Sequence, residues 1–539
     1  MCGERGAERK SVGQMRRATP ANSRSDWFSV TFFAMARGEF RKTVSIRAEK
    51  LPGKLTRTCA VAAVASALSL GAVASPAQAA GTDPEQTAAA GFIGSGSVPT
   101  GSNARLLGVR ALTTSLAANA AMAAKLPLRA VNAAIGSNYA MNVVDISTGE
   151  TIWSRRATDP MLPASNMKLV TAVNALEVLG PDRKYKTEVF TRGRGKIVIR
   201  GSGDATLSHT AVKRLARQAS RKIVANPDLI PPLYTPAPYR PSTCTINGKK
   251  VKSRKKRKCP IVTPGPQLKP LKIFVDDSIY PRPTRPDGWR SGYEPSVVRP
   301  VRALGIDGRY VMDSGADTAS YLSASLRKGL TGKFAGRRVV QGDAQLLAEH
   351  LGATVYDQVR YMLQPSENNI AEMLFRNVAV AMDLPATWED SRAAAMKVLD
   401  KLGIPTESLF LADGSGVSRD DRLTPLALTT ILEKVADVTA YPQFEAIYYG
   451  GGMPLAGKTG TLSARTGRFT TRPTNCAAGL IRAKTGTLFD TIGLSGLTAG
   501  SDGQLKAFSI LVNSRPGKYS PLQTRRRVDR LAATVNGCF

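Results

Sequence analysis

With 539 residues, 42% of them hydrophobic and 6% aromatic, the chain is long enough for two to four domains and has the composition of a globular protein, not a disordered or fibrous one. Its 75 Lys and Arg against 41 Asp and Glu give a formal net charge of +34, a field that attracts polyanions and also favours solubility. With two histidines and no Cys-x-x-Cys, the sequence argues against a metal centre and against a serine–histidine–aspartate triad; nothing calls for a cofactor, and a serine enzyme here needs lysine as its base.

The chain opens with a basic region containing Arg41, Lys42, Arg47, Lys50, Lys54 and Arg57, followed by a charge-free, alanine-rich run from Cys59 to Ala74 and then Ala77-Gln78-Ala79. That order is the order of a secretory leader, so residues 1–79 are predicted to be a signal peptide cleaved after Ala79. Translation starting at Met35 gives the basic region a typical length, and Cys59 precedes the apolar core, where lipidation does not occur. The apolar run is short for a membrane span and no second long one follows, so no transmembrane anchor is expected. The mature chain is expected outside the cytoplasm, secreted or associated with the cell wall. Loss of the leader removes 13 basic and 5 acidic residues and lowers the net charge from +34 to +26.

Residues 80–134 are rich in Ala, Gly, Ser and Thr and read as a flexible linker with one short helix near Leu116 to Ala124. Order is expected to begin with a hairpin, Tyr139 to Asp145 and Thr151 to Arg155, joined by the turn Ser147 to Glu150. Next comes a helix entered at Ser165, with Leu169, Val173 and Leu176 as its buried stripe and Gly180-Pro181 as its stop. Short strands and many prolines over 191–310 read as inserted β-rich domains, flanked by 135–190 and 311–539 as the two parts of one α+β domain. Helices are expected at Ala319 to Leu330, at Val355 to Leu363 and from Ile370 to Val380, with a loop on Asp413-Gly-Ser-Gly416. Three antiparallel strands, Leu480 to Thr487, Thr491 to Leu497 and Leu505 to Asn513, precede a final helix from Pro521 to Val535. Four cysteines follow the leader. Cys244 and Cys259 bracket the basic stretch 249–258 and are expected to staple it, leaving Cys476 to pair with Cys538. The basic stretch has no interleaved aromatics, which argues against nucleic acid; anionic wall polymers are the polyanions an exported protein meets.

Ser165 and Lys168 stand three apart on the predicted helix, so the amine can reach the hydroxyl, and a desolvated lysine can take the proton of a serine nucleophile. Further along come Ser366-Glu-Asn368 and Lys484-Thr485-Gly486, at a predicted loop and on a predicted strand. Three short elements in that order are the pattern of penicillin-binding proteins and serine β-lactamases. Together with Gly201-Ser-Gly-Asp204, Val275-Asp-Asp-Ser278, Leu411-Ala-Asp-Gly-Ser-Gly416 and Ala483 to Thr487, they make residues 135–535 resemble the low-molecular-mass class C penicillin-binding proteins, which are D-alanyl-D-alanine carboxypeptidases and endopeptidases. The gap of about 200 residues between the first two motifs suits that subgroup better than the class A β-lactamases.

The resemblance implies a transpeptidase-like fold, an antiparallel sheet flanked by helices, and a cleft that takes peptidoglycan stem peptides and is inhibited by β-lactams. It implies that Ser165 attacks the carbonyl between two D-alanines while Lys168 takes its proton. Ser366 then passes the proton to the leaving amine, and Asn368 holds Lys168 and the substrate amide. Lys484 and Thr485 bind the terminal carboxylate within the strand segment Lys484 to Thr487, and the backbone N–H groups of Ser165 and Thr487 form the oxyanion hole. Glu367 stands where relatives often have Asp. Asp413 and Ser415 read as turn formers, and Asp276 to Ser278 as structure of the inserted domain. Lys458-Thr459-Gly460 repeats the last motif but lies among glycines unsuited to a strand, so Lys484 is preferred. A carboxypeptidase is the reading favoured; a DD-endopeptidase that opens cross-links uses the same residues, and a non-catalytic basic wall-binding protein is the reading that only an assay removes.

Overall fold

Two five-stranded sheets organise the residues that the computed structural model describes, 102–246, 249–252 and 259–539. The predicted leader, the start of the predicted linker and most of the basic stretch 249–258 lie outside the described residues. The first sheet is antiparallel throughout, in the order Ile481–Thr487, Ile492–Ala499, Leu505–Val512, Tyr139–Asp145, Thr151–Arg155. Its register sets Tyr139 opposite Val512 and Asp145 opposite Lys506.

All seven residues of Tyr139–Asp145 are buried because helices cover both faces, the polar Asn142 and Asp145 included. On one face Met141, Val143, Ile510 and Val512 pack with Met122 and Leu126 of the helix Ser102–Ala130 and with Val528, Leu531 and Val535 of the helix Pro521–Asn536. The latter starts in a capping box between Ser520 and Gln523 and ends at Gly537 in the left-handed region. On the other face Ala140, Ala507 and Leu511 meet a helical layer built round Met167–Leu179. Around that helix stand Val355–Leu363, Asn368–Ala381, Trp388–Lys401 and Pro425–Ala436.

The second sheet runs Gly332–Arg337, Leu271–Asp276, Lys196–Gly201, Lys184–Thr191, Leu346–Thr354, parallel across its first three strands and antiparallel across the rest. Two helices, His209–Ala225 and Ser314–Ala324, cover it, with Val212, Leu215, Ala219 and Ile223 resting on Val189, Ile197, Ile199 and Ile273. Asp277 ties the end of this sheet to Arg337. The inserted region is therefore an α/β layer with strands drawn from 184 to 354, wider and more helical than the β-rich 191–310 expected. The expected linker is likewise a helix from Ser102, and the helix expected at 319–330 is capped earlier by Asp313 and stops at Ala324. Cysteines pair as expected, Cys244 with Cys259 and Cys476 with Cys538. Among the described residues no helix is long and apolar enough to cross a membrane.

Candidate active site

Ala164–Asn166 forms a single 3-10 turn that runs into the helix Met167–Leu179, so Ser165 stands just before the first free amides of that helix. The turn is wedged in place by glycines. A Cβ on Gly416 would stand 1.9 Å from the Ala164 carbonyl oxygen, and one on Gly493 would stand 2.2 Å from Asn166 Nδ2. Gly486 lies directly opposite Gly493 on the neighbouring strand, and a Cβ there would also crowd Asn166 Nδ2, at 2.6 Å. Asn166 itself donates to the Pro163 carbonyl at 3.0 Å.

Lys168 is fully buried. Its Nζ has three partners: Ser165 Oγ at 3.1 Å, Asn368 Oδ1 at 2.8 Å and the Ser415 carbonyl at 2.8 Å. Two of those partners can only accept. A neutral amine here gives its two hydrogens to them and keeps its lone pair for the Ser165 hydroxyl, which is the arrangement a general base needs. Burial pulls the Lys168 ammonium down to about 8, against the opposing pull of Glu372 and Asp413.

The carboxylates behind Lys168 hold the loop that supplies the Ser415 carbonyl. Glu372 accepts from the amides of Gly414 at 2.9 Å and Ser415 at 3.1 Å. Asp413 accepts from Ser415, Gly416 and Ser418 amides and from Trp289 Nε1, and so is the turn former its sequence context suggested. Burial, then the nearby Asp413, raises the Glu372 carboxyl; burial and the same neighbour also raise Asp421 well above the usual carboxylate range. Glu372 carried no role in the sequence, although it closes the stretch Ser366-Glu-Asn-Asn-Ile-Ala-Glu372 that resembles the family pattern.

Ser366 adopts a left-handed backbone, φ +66°, which is unusual for a residue with a side chain and typical of constrained sites. Its hydroxyl accepts from Lys484 Nζ at 2.9 Å. Asn368 opens the helix Asn368–Ala381, with Oδ1 on Lys168 and Nδ2 donating to the Val297 carbonyl at 2.8 Å, so one of its two N–H groups is left for a ligand. The cap of that helix is Glu367, which accepts from the Asn369 amide and from Tyr310 Oη. The middle residue of the motif is thus structural.

Lys484 to Thr487 end an edge strand of the first sheet. The segment around Pro454 to Ala456 covers the start of that strand, through Ala456 N to Ile481 O and Ala483 N to Pro454 O. Beyond Ala483 the edge faces a cleft of about 310 Å³ lined by Ser165, Ser366, Asn368, Thr485 and Thr487. Five of the predicted residues therefore line the cleft, with Lys168 buried behind Ser165 and Asn368 as their shared partner. Lys484 does not line the cleft: it is fully buried, donates to Ser366 Oγ and to the Thr485 carbonyl at 2.8 Å, and is held well below the usual lysine range by burial and by Lys168. Gly486 serves the site by its missing side chain. Thr461, Thr466, Arg468 and Arg525 complete the lining, and none of them was legible in the sequence. Thr461 follows the second Lys-Thr-Gly and stands 2.7 Å from Thr485, hydroxyl to hydroxyl.

Comparisons with known proteins show the family and the fold. A family profile described as D-Ala-D-Ala carboxypeptidase 3 (S13) matches residues 95–227 and 308–535. Carboxypeptidase DacB of Mycolicibacterium smegmatis is 28% identical over 411 residues, covering 74% of this chain and 80% of that one. The D-alanyl-D-alanine carboxypeptidase of Actinomadura sp. strain R39 is 29% identical over 435 residues, covering 70% and 77%. Among solved structures, penicillin binding protein 4 of Haemophilus influenzae superposes with a TM-score of 0.58 at 21% identity, over 74% of this chain and 97% of that one, and so shares the fold.

Proposed function

The chain belongs to the D-Ala-D-Ala carboxypeptidase 3 (S13) family of serine peptidases, the low-molecular-mass class C penicillin-binding proteins, and from that premise we propose that it removes the terminal D-alanine of peptidoglycan stem peptides through an acyl-enzyme on Ser165. The observation that carries this reading is the threefold coordination of Lys168, which leaves one lone pair aimed at Ser165.

The Ser165 oxygen bonds to the carbonyl carbon between the two D-alanines and its proton passes to Lys168 Nζ. The negative charge on the carbonyl oxygen is met by the backbone N–H groups of Ser165 and Thr487. As the C–N bond breaks, the proton travels through the Ser366 hydroxyl, which touches Lys484, to the leaving nitrogen. Water then attacks the ester carbon while Lys168 takes a water proton; as the ester C–O bond breaks, Lys168 returns that proton to the Ser165 oxygen and the shortened peptide leaves as a carboxylic acid. A β-lactam enters the same path and stalls at the ester.

Export belongs to this proposal, with cleavage after Ala79 and the two disulfides formed outside the cytoplasm. The basic stretch 249–258 is proposed to dock on anionic wall polymer; wall retention that survives its deletion sinks that part alone. For the chemistry, the test is labelling with a fluorescent penicillin, mass spectrometry of the labelled peptide, and D-alanine release from a pentapeptide. Labelling at Ser165 that disappears in Ser165→Ala is expected, with D-alanine release falling by at least about a thousandfold. Folded wild-type protein that takes no label overturns the mechanism.

A further inference from the structure

The substrate proposed above carries a carboxylate on the carbon bonded to the scissile nitrogen, and a cleft that reads it needs an available cation. Lys168 is occupied by its three partners, and Lys484 is buried behind the strand on Ser366 and Thr485. Arg468 lines the cleft but is held by Asp529, whose two oxygens take its Nε at 2.9 and 2.7 Å, with both side chains buried. Asp529 is saturated in return.

Arg525 is different. It lies one helical turn before Asp529 in Pro521–Asn536 and lines the same cleft as Thr485 and Thr487. Among the described residues its guanidinium has no hydrogen bond and no ion pair, and its Nε is shielded from solvent without an acceptor. Partial burial, and the like charges of Arg468 and Arg515, weaken its hold on the proton against the opposing pull of Asp529, whose oxygens are bonded to Arg468, so an anion in the cleft relieves both costs. The Thr485 and Thr461 hydroxyls, 2.7 Å apart, stand beside it as neutral donors. A carboxylate has two oxygens to satisfy. A guanidinium fork can take both at once, and the hydroxyls add donors to the remaining lone pairs.

We propose that Arg525 is a specificity residue: its guanidinium, presented by the C-terminal helix, recognises the free carboxylate on the leaving group of the substrate, a task that the sequence pattern would assign to Lys484. This rests on the carboxypeptidase reading. A substrate whose carboxylate is an amide offers Arg525 only one neutral carbonyl oxygen, without the charge and the second acceptor that a bidentate pairing uses.

The test compares two N-acylated peptides ending in D-Ala-D-Ala and in D-Ala-D-alaninamide, by kcat/KM, for wild type, Arg525→Gln and Arg525→Lys. Wild type is expected to prefer the free acid. Arg525→Gln is expected to lose about 10- to 100-fold on the acid and much less on the amide, so that the preference collapses, and Arg525→Lys to recover part of it. Equal losses on both peptides, or an undiminished preference in Arg525→Gln, overturns the proposal. If wild type also turns over neither peptide and takes no penicillin at Ser165, the parent reading falls with it; if wild type is active, only the role of Arg525 falls.

Discussion

Two stretches of the chain read Lys-Thr-Gly, 26 residues apart, and the fold uses them in opposite ways. Lys484-Thr485-Gly486 lies on an edge strand with its lysine wholly buried, while Lys458-Thr459-Gly460 is an exposed turn whose Gly460 sits at φ +52°. In the strand, Gly486 and its cross-strand neighbour Gly493 leave room for Asn166 beside the nucleophile. In the turn, a Cβ on Gly460 would stand 2.3 Å from the Gln364 carbonyl oxygen, so the glycine lets the loop lie against the residues that lead to Ser366. The exposed copy is not idle, because that approach delivers Thr461 to Thr485. A tripeptide acquires its chemistry from the backbone that carries it: period-2 geometry places Lys484 and Gly486 on one side of the strand and Thr485 on the other.

The contrast can be broken by substitution, starting with the lysines. Lys484→Met is expected to slow penicillin acylation about 100- to 1000-fold, since it removes the donor that holds Ser366; Lys458→Met is expected to stay within a factor of two. Comparable losses from both would show that strand context is not the deciding variable. A smaller effect is expected from the threonines. Thr461→Val should cost acylation about tenfold by removing the partner of Thr485. Thr459→Val should leave the rate intact and lower stability by about 1 kcal/mol, because Thr459 Oγ1 accepts only from the Leu455 amide; thermal unfolding separates the two outcomes.

The smallest effect is one of pH. Acylation requires Lys168 without its proton, so the rate should be flat above about pH 8 and fall as pH drops through that value. Glu372 favours the charged form of Lys168, so Glu372→Gln should move this limb toward lower pH, by less than about one unit. Lys458→Met should leave the limb where it is, and a limb that moves in that variant would tie the exposed turn to the base.

Elements with a strong local pattern were legible in the sequence. The hairpin Tyr139–Asp145 and Thr151–Arg155 falls where expected, and the last three strands and the final helix fall within one or two residues of it. The helix Ser102–Ala130 was obscured because its alanines read as linker; Met122 and Leu126 gain their meaning only from the helix Pro521–Asn536, some 400 residues away. His209–Ala225 was missed although Ser208 caps it and Val212, Leu215, Ala219 and Ile223 keep helical spacing, a readable signal hidden by the prolines that follow. At the site, Ser165, Lys168, Ser366, Asn368, Thr485 and Thr487 were visible because chemistry fixes their types and spacing. Gly493, Glu372, Thr461 and Arg525 were not, since each acts through a neighbour that only the tertiary fold supplies.

One consequence lies in the pairing of Tyr139 with Val512. A ribosome makes the nucleophile more than 300 residues before it makes the strand that completes the cleft. Closing so long a separation is slow, because the ordering entropy is lost before the contacts form. The nascent polypeptide therefore carries an unarmed serine while about 350 further residues are added, and a chain that stops before Val512 yields no partly active fragment.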